Sequence, residues 1–286
     1  MSLENFIPQV WSARMLSYLD KTHVYGSSAI VNRDYEGEIR AMGDTVKINQ
    51  VGAVTIGDYT KNTDMAAAET LTDSQTVLKI DQAKYFNFVV DDIDKAQQNP
   101  KVMDTAVSRA SYGLADVSDL FLAGMYTGVD AANVIGNDTT PISLPSTTPA
   151  KAYEQLVALA QKLDEANVPA TDRYAIVPPW FYSYLRLDSR FISAGTSQTD
   201  NVLANGVVGR AVGLNVYISN NVPNTTGAKY KVIAGHPMAI SYAEQIVSVE
   251  AYRPEKRFGD AMKGLMVYGA KLIQPKAIAV LTANAA

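Results

Sequence analysis

The chain has 286 residues, 47% of them hydrophobic and 19% charged, and its formal net charge is −4; this is an ordinary globular composition, and its acidity excludes a dedicated basic nucleic-acid binder. It contains no cysteine, which excludes disulfides, thiolate metal sites and a cysteine nucleophile, and fits a reducing compartment. The longest apolar runs, such as 265–270, are far shorter than the roughly 20 residues of a membrane span, and the opening MSLENFIPQVW lacks the pattern of a secretory signal.

Residues 1–43 read as an arm. Phe6, Pro8 and Trp11 open it, and Val10, Ala13, Met15, Leu16 and Leu19 suggest a short helix. Gly26-Ser27-Ser28 interrupts it, and Asn32 to Gly37 is polar and turn-like. Its large apolar side chains need a surface to pack on, either the parent domain or another molecule.

Two segments of period-two alternation follow: Val46, Ile48, Val54 and Ile56, then Leu78, Ile80, Phe86, Phe88 and Val90. This pattern predicts strands with one dry face, joined through a small, polar stretch at 58–75. A hairpin with arms of about a dozen residues reaches roughly 40 Å at about 3.3 Å per residue. An arm of that length is marginal alone and leaves strand edges open, so cover from neighbouring subunits is expected.

Asn99-Pro100 begins the longest helix signal, cap then proline. Val102, Ala106, Ala110, Gly113, Leu114, Val117, Leu120, Phe121 and Gly124 recur at three- and four-residue steps, predicting one apolar stripe and an end near Gly128. After a connector at 130–148, a second helix starts at Thr148-Pro149, with Tyr153, Leu156, Val157, Ala160 and Leu163 on one side. Residues 173–177 predict a short buried strand stopped by Pro178-Pro179, and 180–187 a helix. Strands with tight turns are expected at 205–221, followed by a strand at 229–233. The end, 238–283, reads as extended, with a break at 252–257 and a C-terminal strand buried against the long helix. Strands and helices do not alternate regularly, so the fold class is α+β.

No phosphate-binding, dinucleotide, zinc-protease or nucleophile-elbow motif occurs. His23 and His236 are too far apart to make a spacing motif, and His236 reads as a structural or surface histidine. Asp91, Asp92 and Asp94 suggest either metal ligands or, preferred, helix-approach charges. Lys256 and Arg257, between Tyr252 and Phe258, suit phosphate or base contacts, or a solvated turn paired to Glu255 or to another subunit. No catalytic, cofactor or metal site assembles from these residues.

Several of these stretches carry a resemblance. Phe6 to Ser12, Asn32 to Glu38 followed by Gly43 to Ile48, Asp81 to Phe86, Ala234 to Ile240, and Tyr252 to Gly264 are similar, in order and spacing, to the major capsid proteins of tailed double-stranded DNA bacteriophages. The resemblance implies the Hong Kong 97-like capsid fold: an N-terminal arm at 1–43, an extended β-hairpin loop at 44–80, a peripheral domain with a long spine helix at 81–129 and 245–286, and an axial domain at 130–244. It implies a cofactor-free, non-enzymatic shell protein that forms hexamers and pentamers in an icosahedral head, assembles in the bacterial cytoplasm and ends in the virion. Each extended loop would lie over a neighbour, and each arm would clasp another subunit.

Implied partners are further copies, a scaffolding protein and a portal, a decoration protein in some relatives, and packaged double-stranded DNA without sequence-specific binding; no membrane is implied. Because the chain starts at the arm, a separate scaffold or a mature form is expected. Some relatives weld subunits through a lysine–asparagine bond, but Lys61-Asn62 has no identifiable partner motif. Candidate inter-subunit contacts are Phe6, Trp11, Tyr59, Lys61, Tyr252, Arg253, Lys256 and Arg257. The alternatives are a tail-tube or other virion protein, and a hydrolase using Asp91, Asp92 or Asp94.

Overall fold

The computed structural model describes residues 23–35, 43–51, 56, 58, 61, 64, 73–91, 102–145, 150–188, 207–256 and 258–285. Their strands fall into three sheets, with the long helix against one and two shorter helices serving another.

Strands β1 (Thr45–Val51) and β2 (Asp73–Lys79) form the expected antiparallel hairpin, in register from Thr45 opposite Lys79 to Val51 opposite Asp73. Alternation works as expected near its root: Val46, Ile48, Leu78 and Ile80 are buried, while Lys47 and Val77 face out. The second alternating segment is not one strand, however. The ladder ends where Ile80 exchanges bonds with Gly43 and Asp44, and β3 (Gln82–Asp91) leaves to join another sheet. Phe86 and Phe88 therefore belong to that sheet and not to the hairpin. Parity runs unbroken from Leu78 to Phe88, so the pattern shows which face is dry but not which strand is the partner.

That other sheet has the order β11-β12-β3, where β11 is Ile240–Tyr252 and β12 is Gly259–Leu272. Phe86 lies over Gly264 of β12, in the space a side chain there would need. Helix α1 (Val102–Ala123) has 22 residues and packs on β12 and β3. Beyond it, Gly124–Gly128 tightens into a 3-10 turn, so the α-helix stops five residues short of the expected end; Gly124 and Gly128 are poor helix formers, and a 3-10 last turn is common.

The buried face of α1 also differs from the expected stripe. It consists of Val107, Ser111, Leu114, Ala115, Ser118, Asp119, Leu122 and Ala123, whereas Gly113, Val117, Leu120 and Gly124 face out. Polar residues occupy buried positions because each has a partner. Ser111 and Ser118 donate to the carbonyls of Val107 and Ala115, and Asp119 accepts from the backbone N–H groups of Val24 and Gly26.

The largest sheet has eight strands. Its spine runs β4 (Val134–Ile135), β13 (Ile278–Ala285), β10 (Lys229–Gly235), β6 (Tyr174–Val177), β8 (Leu214–Ile218) and β7 (Val207–Ala211). Strands β5 (Ile142–Leu144) and β9 (Asn224–Thr225) attach to β13 and β10. Helix α2 (Ala150–Glu165) lies on β13 and β10, and α3 (Pro179–Leu187) packs against α2. Leu156, Leu159, Leu163, Phe181, Leu185, Tyr174, Ile176 and Leu281 fill the core, all almost wholly buried.

The C-terminal strand is buried as expected, but against α2 in the middle of this sheet and not against α1. Grouping the whole of 245–286 with α1 therefore misplaces β13. Its apolar run Ile278-Ala279-Val280-Leu281 fits a strand buried on both faces, and the sheet spanning 134–235 offers such a place while the one beside α1 does not.

Candidate assembly site

The root of the β1–β2 hairpin sits on the sheet beside α1. Val46, Ile48, Leu78 and Ile80 pack against Ala243 of β11 and Val267 of β12, with Tyr35, Ala83 and Ile273 at the margin. Burial of such side chains stabilises the contact by roughly 1.5–3 kcal/mol each. The seat is shaped for backbone: at Gly269 a Cβ would run into the carbonyl of Lys79 and the Cα of Ile80. Away from the root, Ile56 is 95% exposed, and Lys61 is exposed as well. One end of this element is held and the other is offered to solvent.

A second feature fixes the later part of the 1–43 arm. His23 lies between two buried carboxylates, its Nδ1 3.0 Å from Asp119 Oδ1 on α1 and its Nε2 3.3 Å from Glu244 Oε2 on β11. The Asp119 carboxylate also accepts the backbone N–H groups of Val24 (2.8 Å) and Gly26 (2.9 Å). Arg33 donates to Glu244 Oε1 at 2.5 Å, and the Tyr242 hydroxyl donates to Glu244 Oε2. With His23 protonated, two cations meet two anions and the buried charge cancels. Burial alone would push the imidazole down, but the hydrogen bonds and charges of Asp119 and Glu244 outweigh it and raise the pKa to about 9. Burial likewise works against the Glu244 carboxylate, yet His23, Arg33 and Tyr242 together hold it below its ordinary value.

Gly26 is required here, because a Cβ would come 2.7 Å from His23 Nδ1. Asn32 completes the attachment by bridging to Ser241 at the start of β11. This cluster was not legible in the sequence. Its members lie at 23, 33, 119 and 244, so no spacing motif joins them. The one available signal was a charged residue, Asp119, four places after Ala115 on the inner side of a long amphipathic helix.

The expected contact residues distribute as follows. Tyr252, Arg253 and Lys256 lie together at the exposed end of the β11–β12 hairpin, beside Phe258, which is 83% exposed. Tyr252 donates its hydroxyl to Asn87 Oδ1 on β3 at 3.1 Å, and Lys263 Nζ lies 5.4 Å from its ring centre while pairing with Glu250. Lys61 belongs to the other hairpin. Phe6, Trp11, Tyr59 and Arg257 lie outside the described residues. Of the acidic candidates, Asp91 ends β3 opposite Gly259, and Asp92 and Asp94 lie outside the described residues. His236 accepts from the Met238 N–H and caps a 3-10 turn, so its role is structural.

Comparison with known proteins decides the family. The model of the family described as phage capsid protein matches residues 72–281, which is most of the chain. The chain belongs to the phage capsid protein family.

A solved structure from Mycobacterium phage Che8 is 30% identical, with a TM-score of 0.67 over 91% of this chain and 90% of that one. The capsid structure of Cyanophage P-SCSP1u has a TM-score of 0.67 at 18% identity, covering 93% and 89% of the two chains. A virus-like particle from Pyrococcus furiosus shares the fold at 13% identity, with a TM-score of 0.60 and coverage of 98% and 100%. No curated protein sequence matches the chain. The architecture is the Hong Kong 97-like capsid fold, and the protein is a major capsid protein of an icosahedral phage head, a structural component of the virion and not an enzyme. The capsid shell is built from many copies of it. The tail-tube and hydrolase alternatives fall with that assignment.

Proposed function

We propose that copies of this chain join as hexamers and pentamers, and that the β1–β2 hairpin of each lies over a neighbouring subunit. The observation that carries this is the hairpin itself, seated on its own sheet through Val46, Ile48, Leu78 and Ile80 while Ile56 is 95% exposed. In this reading 1–43 is the N-terminal arm, 44–80 the extended loop, and α1 with the β11-β12-β3 sheet the peripheral domain. The axial domain is 130–239 together with β13, since 240–244, expected to belong to it, open β11.

Repetition by symmetry lets each interface stay modest while the closed shell is stable. Tyr252, Arg253, Lys256 and Phe258 form a second contact surface, and Phe6, Trp11, Tyr59, Lys61 and Arg257 are further candidates. A scaffolding protein, a portal and in some settings a decoration protein are the partners outside the shell. The net charge of −4 suits a container that confines double-stranded DNA without gripping its sequence. The test is Ile56→Asp in the full chain. It should leave the circular dichroism melt unchanged and abolish shell formation in electron micrographs. Normal shells from that variant would overturn the hairpin's role.

A further inference from the structure

Between α1 and the turn that follows β8 lies a pocket of about 180 Å³. Val24, Ala115 and Ile218 give it an apolar lining, and Asp116 and Asn221 bring polar atoms to it. It is closed at Ala115, which is buried, and open at Tyr112 and Asn220, which are exposed. Asp119 lines it too, but its two oxygens are taken by His23 and by the N–H groups of Val24 and Gly26. The charge of Asp119 is already met by that imidazole.

Asp116 is different. Its half-buried carboxylate accepts one hydrogen bond, from Asn221 Nδ2 to Oδ1 at 2.7 Å. No cation among the described residues pairs with it, and its Oδ2 has no partner there. The Asn221 N–H bonds Ser219 Oγ at 3.1 Å, which fixes the turn that carries the amide. A carboxylate partly withdrawn from water with one oxygen unmet carries a standing cost, which a cation from outside would offset. A divalent metal does not suit, because among the described residues no group of three His, Cys, Asp or Glu side chains could hold one.

We propose that this pocket takes the ammonium group of a lysine from a neighbouring copy. Charge complementarity selects a cation, and the lining selects its kind. Asn221 already occupies Oδ1, so a guanidinium cannot take both carboxylate oxygens, the geometry it favours. An ammonium donates singly, so Oδ2 alone anchors it, and its four-carbon stem lies along Val24, Ala115 and Ile218. The donor comes from a neighbour because the shell is built from many copies and no described lysine of the same chain pairs with Asp116. Lys61 and Lys256, both exposed, are suppliers the fold offers. The proposal rests on membership of a shell and not on where the β1–β2 hairpin lies.

Shells assembled from a mixture of heavy-isotope-labelled and unlabelled full-length protein would be treated with a carbodiimide, which joins a carboxylate to an amine in contact with it. Digestion and mass spectrometry would then locate the links. Glu250 and Lys263, 2.8 Å apart, supply the internal control. A link from Asp116 to a lysine should appear with one labelled and one unlabelled half, and should vanish when the shells are dissociated before treatment. Links at Asp116 that never mix the labels would mean that a lysine of the same chain fills the pocket. No link at Asp116 while the control pair reacts would mean that no lysine does. Either overturns the proposal, while shells seen in electron micrographs of the same sample would leave the assembly reading standing. As a second measurement, Asp116→Asn keeps an oxygen for Asn221 and removes the charge. Its free subunits should melt like the native protein, and its shells should come apart at a lower urea concentration. Equal dissociation midpoints would overturn the proposal too.

Discussion

Gly269 of β12 lies directly beneath the Lys79 carbonyl of β2, so the hairpin root rests on bare backbone. The opposite residue across the β11–β12 ladder is Ala243, also small and wholly buried. Gly269→Ala should therefore lift the hairpin from its seat. Forcing a methyl group into a packed contact costs about 1–3 kcal/mol. A lowered melting temperature with faster hydrogen exchange confined to β1 and β2 would show this, and unchanged exchange there would contradict it.

The charge cluster makes stability depend on pH in a definite direction. His23 has a folded pKa of about 9 against an ordinary 6.5. A group raised on folding adds stability that is complete below its unfolded value and lost as the pH rises through its folded value. The groups facing it are Asp119 from α1, Glu244 and Tyr242 from β11, and Arg33 and Tyr25 from its own segment. The contribution is about 3 kcal/mol at most, fading between pH 6.5 and 9. Unfolding free energies measured across that interval should fall in the native protein and stay flat on this account in His23→Gln. Parallel curves for the two would contradict the assignment.

The turn joining β7 to β8 stores strain. Val212 has φ of 53° and Gly213 of 77°, the two positive values of a tight two-residue hairpin turn. A β-branched residue is disfavoured there, whereas asparagine tolerates it. Val212→Asn should stabilise the protein by about 0.5–1 kcal/mol, read as a higher melting temperature.

Much of the fold was legible where local chemistry decides it. The buried strand ending at Pro178 and the alternation of Val46, Ile48, Leu78 and Ile80 report properties of a short stretch, while the cap-then-proline pairs Asn99-Pro100 and Thr148-Pro149 lie outside the described residues. The family resemblance supplied the long-range plan. What could not be read is pairing. Leu78 and Phe86 share a parity yet serve different sheets. Ile278 to Leu281 announce burial without naming α2 as the cover. That Val117 and Leu120 face out could not be read either, because three- and four-residue periodicity alone does not separate the buried side of a helix from its exposed side. His23 and Glu244 meet only through the tertiary fold, since their positions are 221 apart in the chain.

The position of β13 has its own consequence. It lies between β10 on one side and β4 and β5 on the other, so it completes the largest sheet and is not a removable tail. Ending the chain before Ile278 should prevent that sheet from folding and yield insoluble protein. A soluble truncated chain with a cooperative melt would contradict this.

The account stands most directly on whether the full-length chain closes into shells. Expressed protein would be fractionated on a sucrose gradient and viewed by electron microscopy, with and without the scaffolding protein from the same source. The account predicts closed icosahedral particles, or hexamers and pentamers that convert to them. Stacked rings, open tubes, or a monomer that persists even with scaffold would contradict it.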